Sequence, residues 1–145
     1  MKTDTMHEVR ISTSINAPKE KVWEILTTPE YIRQFLFGTT VTTSWREGSP
    51  ITFEGVWEGK TYNDKGVIKE FDALKSLKHT FWSSNSGKDD KPENYVLVSY
   101  ELHDNGDSTE LVIIQDGVGN EKEQKHLEQN WITVARGIKG LAEKV

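Results

Sequence analysis

Residues 11–35 read ISTSINAPKEKVWEILTTPEYIRQF, and this stretch decides how the rest of the chain can fold. Ile11, Thr13 and Ile15 alternate with polar residues, which is the period-2 pattern of a strand with one buried face. After Ile15 the apolar residues change to helical spacing. The stretch therefore predicts a strand followed directly by two short helices.

The first of these helices has sequence signals at both ends. Proline is tolerated in the first turn of a helix, so Pro18 predicts the start, with Asn16 or Ala17 as the cap. Thr28-Pro29-Glu30 ends this helix and caps the next, because the residue before a proline disfavours the helical conformation. Between these signals runs one apolar stripe, formed by Val22, Trp23, Ile25 and Leu26.

Composition bounds the class of protein. The chain has 145 residues, which fits a single domain over 1–145, and its 18 Lys and Arg against 23 Asp and Glu give a net charge of −5. This balance argues against a nucleic-acid partner, because no basic face can form. No apolar run approaches the ~20 residues of a membrane span, so no membrane partner is expected. The lack of cysteine excludes disulfides and thiolate zinc sites, and we expect a soluble cytoplasmic protein.

The middle of the chain is a series of short alternating segments separated by turn residues. Glu58-Gly59 and Asn105-Gly106 mark the clearest turns, and residues 63–66 predict another. Residues 84–94 are polar and predict a surface loop. The predicted strands are 39–44, 51–57, 60–62, 67–72, 77–83, 95–103 and 108–116.

A long amphipathic helix closes the chain. Asn120 predicts its cap, and the apolar residues after it recur at alternating spacings of four and three. Gly137 and Gly140 lower the helix propensity beside this stripe, so they predict a close approach of the helix backbone to the sheet or to something lying between them. The stripe consists of Leu127, Trp131, Val134, Ile138 and Leu141.

The fold class that follows is α+β, a helix-grip of about six or seven antiparallel strands curved around the C-terminal helix. An antiparallel sheet of this kind has one apolar face, and only one long helix is available to cover it. The two short helices then form a roof. This arrangement predicts space for a cavity between the sheet and the C-terminal helix.

Capping and packing motifs along the chain share one pattern: Ala17-Pro18, Val22-Trp23, Pro29-Glu30, 57–60, 65–70, 108–112, Trp131 and Gly140-Leu141. In this pattern the chain resembles the small bacterial relatives of the heat-shock-protein-90 ATPase activator C-terminal domain. That family lies within the START-like helix-grip superfamily, which includes polyketide cyclases and plant lipid-binding allergens. The resemblance implies the helix-grip fold, and it implies a chaperone as one candidate partner. Other members of the superfamily are hydrolases, cyclases and carriers.

The ionisable residues show no catalytic or metal-binding spacing. The histidines His7, His79, His103 and His126 lack the helical or short-loop spacing of a metal site, so no metal and no cofactor are predicted. Only His79 falls on a predicted inward face, where it is either a hydrogen-bonded core residue or an acid–base group. Glu54 is out of phase with the apolar residues of its strand, which indicates a solvated carboxylate.

Pleat and helix phases predict which side chains face the space between the sheet and the helix. An apolar lining with a few polar groups is how small-ligand sites are generally built. The alternative is that these large rings fill the space and leave a solid core. The predicted lining is Trp45, Phe53, Trp57, His79, Phe81, Gln115, Asn130, Trp131 and Val134, with Phe35 and Phe37 closing the mouth.

Three hypotheses about function follow from these residues. The first is non-enzymatic binding of a small hydrophobic or aromatic molecule in the cavity between sheet and helix. The second is a chaperone-associated protein, as the family resemblance implies. The third is a cyclase- or hydrolase-like enzyme that uses His79 with a nearby carboxylate. The sequence leaves open whether the protein is a monomer or a homodimer.

Overall fold

The computed structural model describes residues 7–144, and its elements follow the predicted order of one strand, two short helices, further strands and a long helix. A short 3-10 turn, Pro92–Asn94, lies in the predicted surface loop. The strands and α-helices are β1 (His7–Ile15), α1 (Lys19–Leu26), α2 (Pro29–Phe35), β2 (Thr40–Thr43), β3 (Pro50–Trp57), β4 (Lys60–Asp72), β5 (Ser76–Phe81), β6 (Val96–Asn105), β7 (Ser108–Val118) and α3 (Glu121–Ala142).

The seven strands form one open, curved sheet in which every neighbouring pair is antiparallel. Their order across the sheet is β1-β7-β6-β5-β4-β3-β2. Helix α3 packs against β1 and β7 at one end of this sheet and contacts both short helices, whereas α2 packs against β2 at the other end. The predicted α+β helix-grip is therefore confirmed.

The predicted apolar stripes supply the helical part of the core. All four residues of the α1 stripe are buried. In α3, Trp131, Val134 and Ile138 are buried, whereas Leu127 and Leu141 are only half-buried. A helix buries one face against a sheet, so the centre of its stripe is covered more completely than its ends.

Strand β4 corrects one prediction, because residues 60–72 form one continuous strand and the turn predicted at residues 63–66 is wrong. The backbone of Lys65 exchanges two hydrogen bonds with Trp82, at 3.0 and 2.8 Å, and these hold the segment extended. Gly66 contributes through its size, because its backbone lies directly against the carbonyl oxygen of Thr80. A glycine in a strand can mark such a close approach as well as a turn.

The start of α1 also differs from the prediction. Pro18 is itself the N-cap, with φ −71° and ψ 157°, and the helix begins at Lys19. Neither Asn16 nor Ala17 caps it. The backbone N–H of Asn16 donates instead to the Glu143 carboxylate at 2.7 Å, which ties the end of β1 to the end of α3.

The two glycines of α3 have different surroundings. A Cβ atom added to Gly137 would lie 3.0 Å from the Cβ of Phe35, so the close approach of α3 is to α2 and not to the sheet. A Cβ atom added to Gly140 would meet nothing within 4 Å. The predicted close approach therefore exists at one of the two positions.

Asn120 caps α3 as predicted, since its side-chain oxygen accepts a hydrogen bond of 2.8 Å from the backbone N–H of Glu123. We expect Asn120→Ala to lower the free energy of unfolding by about 1 kcal/mol, because that N–H loses its partner. The matched control is Gln129→Ala on the exposed face of the same helix, where we expect almost no change. Urea denaturation measures both, and equal losses would contradict the capping role.

Candidate functional site

A small apolar pocket lies beneath α2, where this helix and β2 face the middle of the sheet. Its volume is about 20 Å³, which is room for about one water molecule. The lining residues come from both short helices and from β2, β3, β5 and β6, together with Trp45 after β2. They are Leu26, Ile32, Phe35, Leu36, Val41, Trp45, Ile51, Phe53, Leu77, His79 and Tyr100.

Aromatic rings in contact fill most of the space around this pocket. The ring of Phe53 packs against Phe81 and against His79, with both centroid distances at 5.3 Å. His79 stacks on Tyr100 at 6.2 Å, and Tyr100 meets Trp131 edge-on at 6.0 Å. The sequence left open whether these large rings line a cavity or fill the space. In the structure they fill most of the interior, and the pocket is the space that remains.

His79 is held in one tautomer. Its Nδ1 lies 2.8 Å from the backbone carbonyl oxygen of Thr80. A carbonyl oxygen only accepts, so Nδ1 carries the hydrogen and Nε2 keeps a free lone pair. Burial lowers the pKa of His79 to about 4, despite the opposing hydrogen bond to Thr80. The imidazole is therefore neutral at pH 7.

Tyr100 supplies the second polar group of the pocket. Its side chain is buried, and burial raises the pKa of the phenol well above its ordinary value, so the hydroxyl stays protonated. Within residues 7–144, no fully enclosed side-chain nitrogen or oxygen lacks a hydrogen-bond partner. His79 Nε2 and the Tyr100 hydroxyl have no protein partner in this part of the protein, so neither atom is fully enclosed, and both belong to residues that line the pocket.

The predicted site residues fall into separate groups. Phe35, Trp45, Phe53 and His79 line the pocket together. The remaining inward-facing residues lie next to it and do not line it. Phe81 packs on Phe53, Gln115 accepts a 2.8 Å hydrogen bond from Nε1 of Trp131, Val134 is fully buried in the core, and Asn130 is half-buried on α3.

Phe37 and Trp57 correct the predicted lining, because neither borders the pocket. Trp57 is 58% exposed and Phe37 is 44% exposed, and their rings pack edge-on at 6.3 Å on the outside of the protein. Trp57 has the pleat phase of Phe53, as predicted. It lies at the end of the β3–β4 hairpin, however, and the helices pack on β1, β2, β6 and β7.

Tyr100 is the most important residue that the sequence reasoning missed. It lies two residues from both Val98 and Leu102 on β6, so the three side chains share one buried face. Its register partner on β5 is Leu77, which lies on the predicted inward face. That alternation was a usable signal for an inward tyrosine. The other missed residues are the aliphatic ones, Leu26, Ile32, Leu36, Val41, Ile51 and Leu77.

The backbone on one side of the pocket is strained. Phe37 and Trp45 have φ values of +55° and +59°, in the left-handed region that bulky side chains rarely adopt. Gly38 has φ +80°, where glycine carries no penalty. These three positions lie near the two ends of residues 36–45, which we call the entrance segment. The entrance segment contributes Leu36, Val41 and Trp45 to the lining.

The pocket places one imidazole and one phenol among apolar side chains. None of its lining residues is a carboxylate, so the structure does not bring a carboxylate to His79, as the enzyme hypothesis required. Within the described residues, no group of three His, Asp or Glu side chains is placed to hold a metal ion. None of the helices between residues 7 and 144 is long and apolar enough to cross a membrane.

A wider surface groove of about 520 Å³ is the other candidate site. Most of its lining residues are polar or charged, Lys19 lies 3.3 Å from Asp104, and His103 lies 3.4 Å from Glu101. The Lys19–Asp104 pair is partly exposed, and such pairs contribute little to stability. The interior pocket is the stronger candidate, because its two polar atoms lack protein partners.

Sequence comparison agrees with the helix-grip architecture. Residues 16–143 match the family described as Activator of Hsp90 ATPase homolog 1-like protein. The chain belongs to this family. The match covers most of the chain, so the resemblance predicted from the capping and packing motifs is confirmed. No curated protein matches the sequence significantly.

Solved structures place this activator-like chain among proteins of the same fold. The solution structure of ChR145 from Cytophaga hutchinsonii is 43% identical, with a TM-score of 0.85 and 97% of each chain covered. The Aha1 dimer from Colwellia psychrerythraea is 15% identical, with a TM-score of 0.74 and coverage of 95% of this chain and 97% of that one. CalU16 from Micromonospora echinospora is 19% identical, with a TM-score of 0.71 and coverage of 95% and 77%.

Proposed function

We propose that this protein binds a small hydrophobic or aromatic molecule in the pocket beneath α2. The observation that carries the proposal is the pair of unpartnered polar atoms, His79 Nε2 and the Tyr100 hydroxyl, in an otherwise apolar lining. Two accessible polar atoms without protein partners, on side chains of an otherwise apolar lining, favour a polar group of a ligand or a water there. An apolar wall with a few convergent polar groups is the usual composition of a small-ligand site.

Binding of anything larger than water requires the pocket to expand. The entrance segment is the part of the lining that can move at least cost. It is strained at Phe37 and Trp45, and each such residue stores about 1–3 kcal/mol that a rearrangement can release. Its only strand, β2, is a four-residue edge strand that pairs with β3 alone. We therefore assign ligand entry to movement of residues 36–45.

Methyl-resolved NMR tests the proposal, because six aliphatic residues line the pocket and serve as reporters. The probes are p-cresol and p-xylene, which differ only in a hydroxyl in place of a methyl group. We expect saturable shifts of the Val41, Ile51 and Leu77 methyl signals with at least one probe, and no shift of exposed Val56. If neither probe moves the pocket signals, the proposed function is wrong.

A disulfide between β2 and β3 tests the entrance. Thr40 and Glu54 are exposed register partners, and the chain has no cysteine, so T40C/E54C can form only one internal disulfide. We expect the oxidised form to bind p-cresol at least about tenfold more slowly, because the start of β2 is then tied to the sheet. Reduction provides the matched control and should restore the rate. Equal association rates in both forms would place entry elsewhere.

A second candidate function is contact with a heat-shock-protein-90 chaperone. Two observations favour it: the family to which the chain belongs, and the exposed aromatic pair formed by Phe37, after α2, and Trp57, at the end of β3. Exposed aromatic residues of this size are enriched at protein interfaces. The edge-on packing holds both rings on the outside of the protein.

The ATPase rate of a bacterial heat-shock-protein-90 homologue tests this candidate. We expect the wild-type protein to raise the rate and Trp57→Ser to abolish the increase. Val56→Ser is the matched control, because Val56 is 61% exposed on the opposite pleat face of the same strand. Absence of stimulation by the wild-type protein removes the candidate.

A further inference from the structure

We infer that the pocket beneath α2 selects neutral ligands that carry a hydroxyl group, which donates a hydrogen bond to Nε2 of His79. The inference rests on the proposed function and names the class of molecule that the same site takes. Its basis is the hydrogen-bonding state of two buried side chains and the absence of charged groups from the lining.

The acceptor at His79 is fixed by the sheet. Nδ1 must donate to the Thr80 carbonyl, and Thr80 lies within β5, paired with Leu97 of β6. In the other tautomer, with the hydrogen on Nε2, the Thr80 carbonyl oxygen would face the lone pair of Nδ1. Nε2 is therefore an acceptor whenever the ring is neutral, and the ligand atom opposite it must be a donor.

The Tyr100 hydroxyl can serve as either donor or acceptor to a ligand that donates a hydrogen bond to His79. A phenol hydroxyl both donates and accepts, so it can donate to the oxygen of a ligand hydroxyl or accept from a second donor. Its ring stacks against the imidazole at an interplanar angle of 27°, so the two rings are neighbours in the pocket lining. A ligand with an apolar body and one hydroxyl satisfies both groups without leaving a buried polar atom unpaired.

Charged ligands are disfavoured by the same lining. The eleven lining residues include no Lys, Arg, Asp or Glu. A carboxylate in this pocket would face the Nε2 lone pair and would lose its hydration without gaining an opposite charge. An ammonium group would likewise lack a carboxylate partner. A neutral ligand with a hydrogen-bond donor remains, and we choose a phenol or alcohol because its oxygen can also accept from Tyr100.

The test compares the affinities of p-cresol and p-xylene for the wild-type protein by the same methyl shifts. The two molecules have nearly the same shape, and p-xylene is the more hydrophobic, so burial alone would favour p-xylene. We expect p-cresol to bind at least about tenfold more tightly, because only its hydroxyl pairs with Nε2. Equal affinity, or tighter binding of p-xylene, overturns the inference and leaves the proposed function standing. Binding of neither probe overturns both.

Two further measurements assign the selectivity to His79. Nitrogen NMR of the labelled histidines should show the Nε2 signal of His79 shifting with p-cresol and not with p-xylene, and this needs no substitution. In His79→Phe the preference for p-cresol should disappear, whereas in His103→Gln, which changes an exposed histidine outside the pocket, it should persist. A preference that survives in His79→Phe, with the Nε2 signal of the wild type unmoved, would contradict the assignment.

Discussion

Gly66→Ala is expected to lower the free energy of unfolding by about 3 kcal/mol or more, which is the largest effect of a single added methyl group in this chain. A Cβ atom at this position would lie 1.7 Å from the Thr80 carbonyl oxygen and 2.5 Å from its carbon. Both atoms belong to the neighbouring strand, so relief requires β4 and β5 to move apart. Thermal or urea unfolding measures the loss.

Gly140→Ala is the matched control for this substitution. The same methyl group would meet nothing within 4 Å there, and the position is inside α3. We expect a gain of about 0.5–1 kcal/mol, because alanine has the higher helix propensity. If Gly66→Ala were as harmless as Gly140→Ala, the close approach of β4 to β5 would be wrong.

Gly66 also affects the site through the atom that it contacts. The Thr80 carbonyl that its backbone approaches is the one that holds Nδ1 of His79. A shift of that carbonyl in Gly66→Ala should weaken the hydrogen bond and reorient the imidazole. We therefore expect the folded fraction of this variant to have lost its preference for p-cresol.

Acidification is expected to produce the second large effect, a loss of about 2 kcal/mol of stability between pH 7.5 and pH 5 that originates from His79 alone. Burial holds the pKa of His79 at about 4, against an ordinary value of 6.5. Between pH 4 and pH 6.5, His79 is protonated in the unfolded chain and neutral in the folded protein. This contribution is therefore fully present well above pH 6.5 and is lost as the pH falls through 6.5 toward 4.

Comparison with a variant separates this contribution from that of the carboxylates. Urea unfolding of the wild type and of His79→Phe across the same pH range should give a shallower pH dependence for the variant. His103→Gln is the matched control, because this histidine is exposed on β6, and it should retain the wild-type slope. Identical slopes in the wild type and His79→Phe would show that the buried imidazole does not resist protonation.

Much of the fold was predictable from local patterns. The successful predictions each depend on residues close together in the sequence. They are the period-2 alternation of β1, the helix starts marked by Pro18 and Pro29, and the apolar stripes of α1 and α3. Predictions were wrong where one local signal had two meanings. Gly66 looked like a turn residue and is a contact between strands, since the deciding atom belongs to Thr80, fourteen positions later in the numbering.

The site was predicted less completely for a related reason. Period-2 alternation tells which face of a strand a side chain occupies, and it assigned Phe53, His79 and Trp57 to the same face. It does not tell whether anything covers that face at a given position. Phe53 and His79 lie within the packed core, whereas Trp57 lies on a hairpin end and is exposed.

The sequence by itself determined the architecture around the pocket. It predicted the helix-grip order, the buried stripes and an inward histidine among aromatic rings. Only the tertiary structure decided the size of the pocket, the tautomer of His79 and the role of Tyr100. These depend on how side chains from α2, β2, β3, β5 and β6 fill one volume, and on a single carbonyl that faces an imidazole nitrogen. Close packing and hydrogen-bond direction are set by contacts between distant segments, which no local pattern contains.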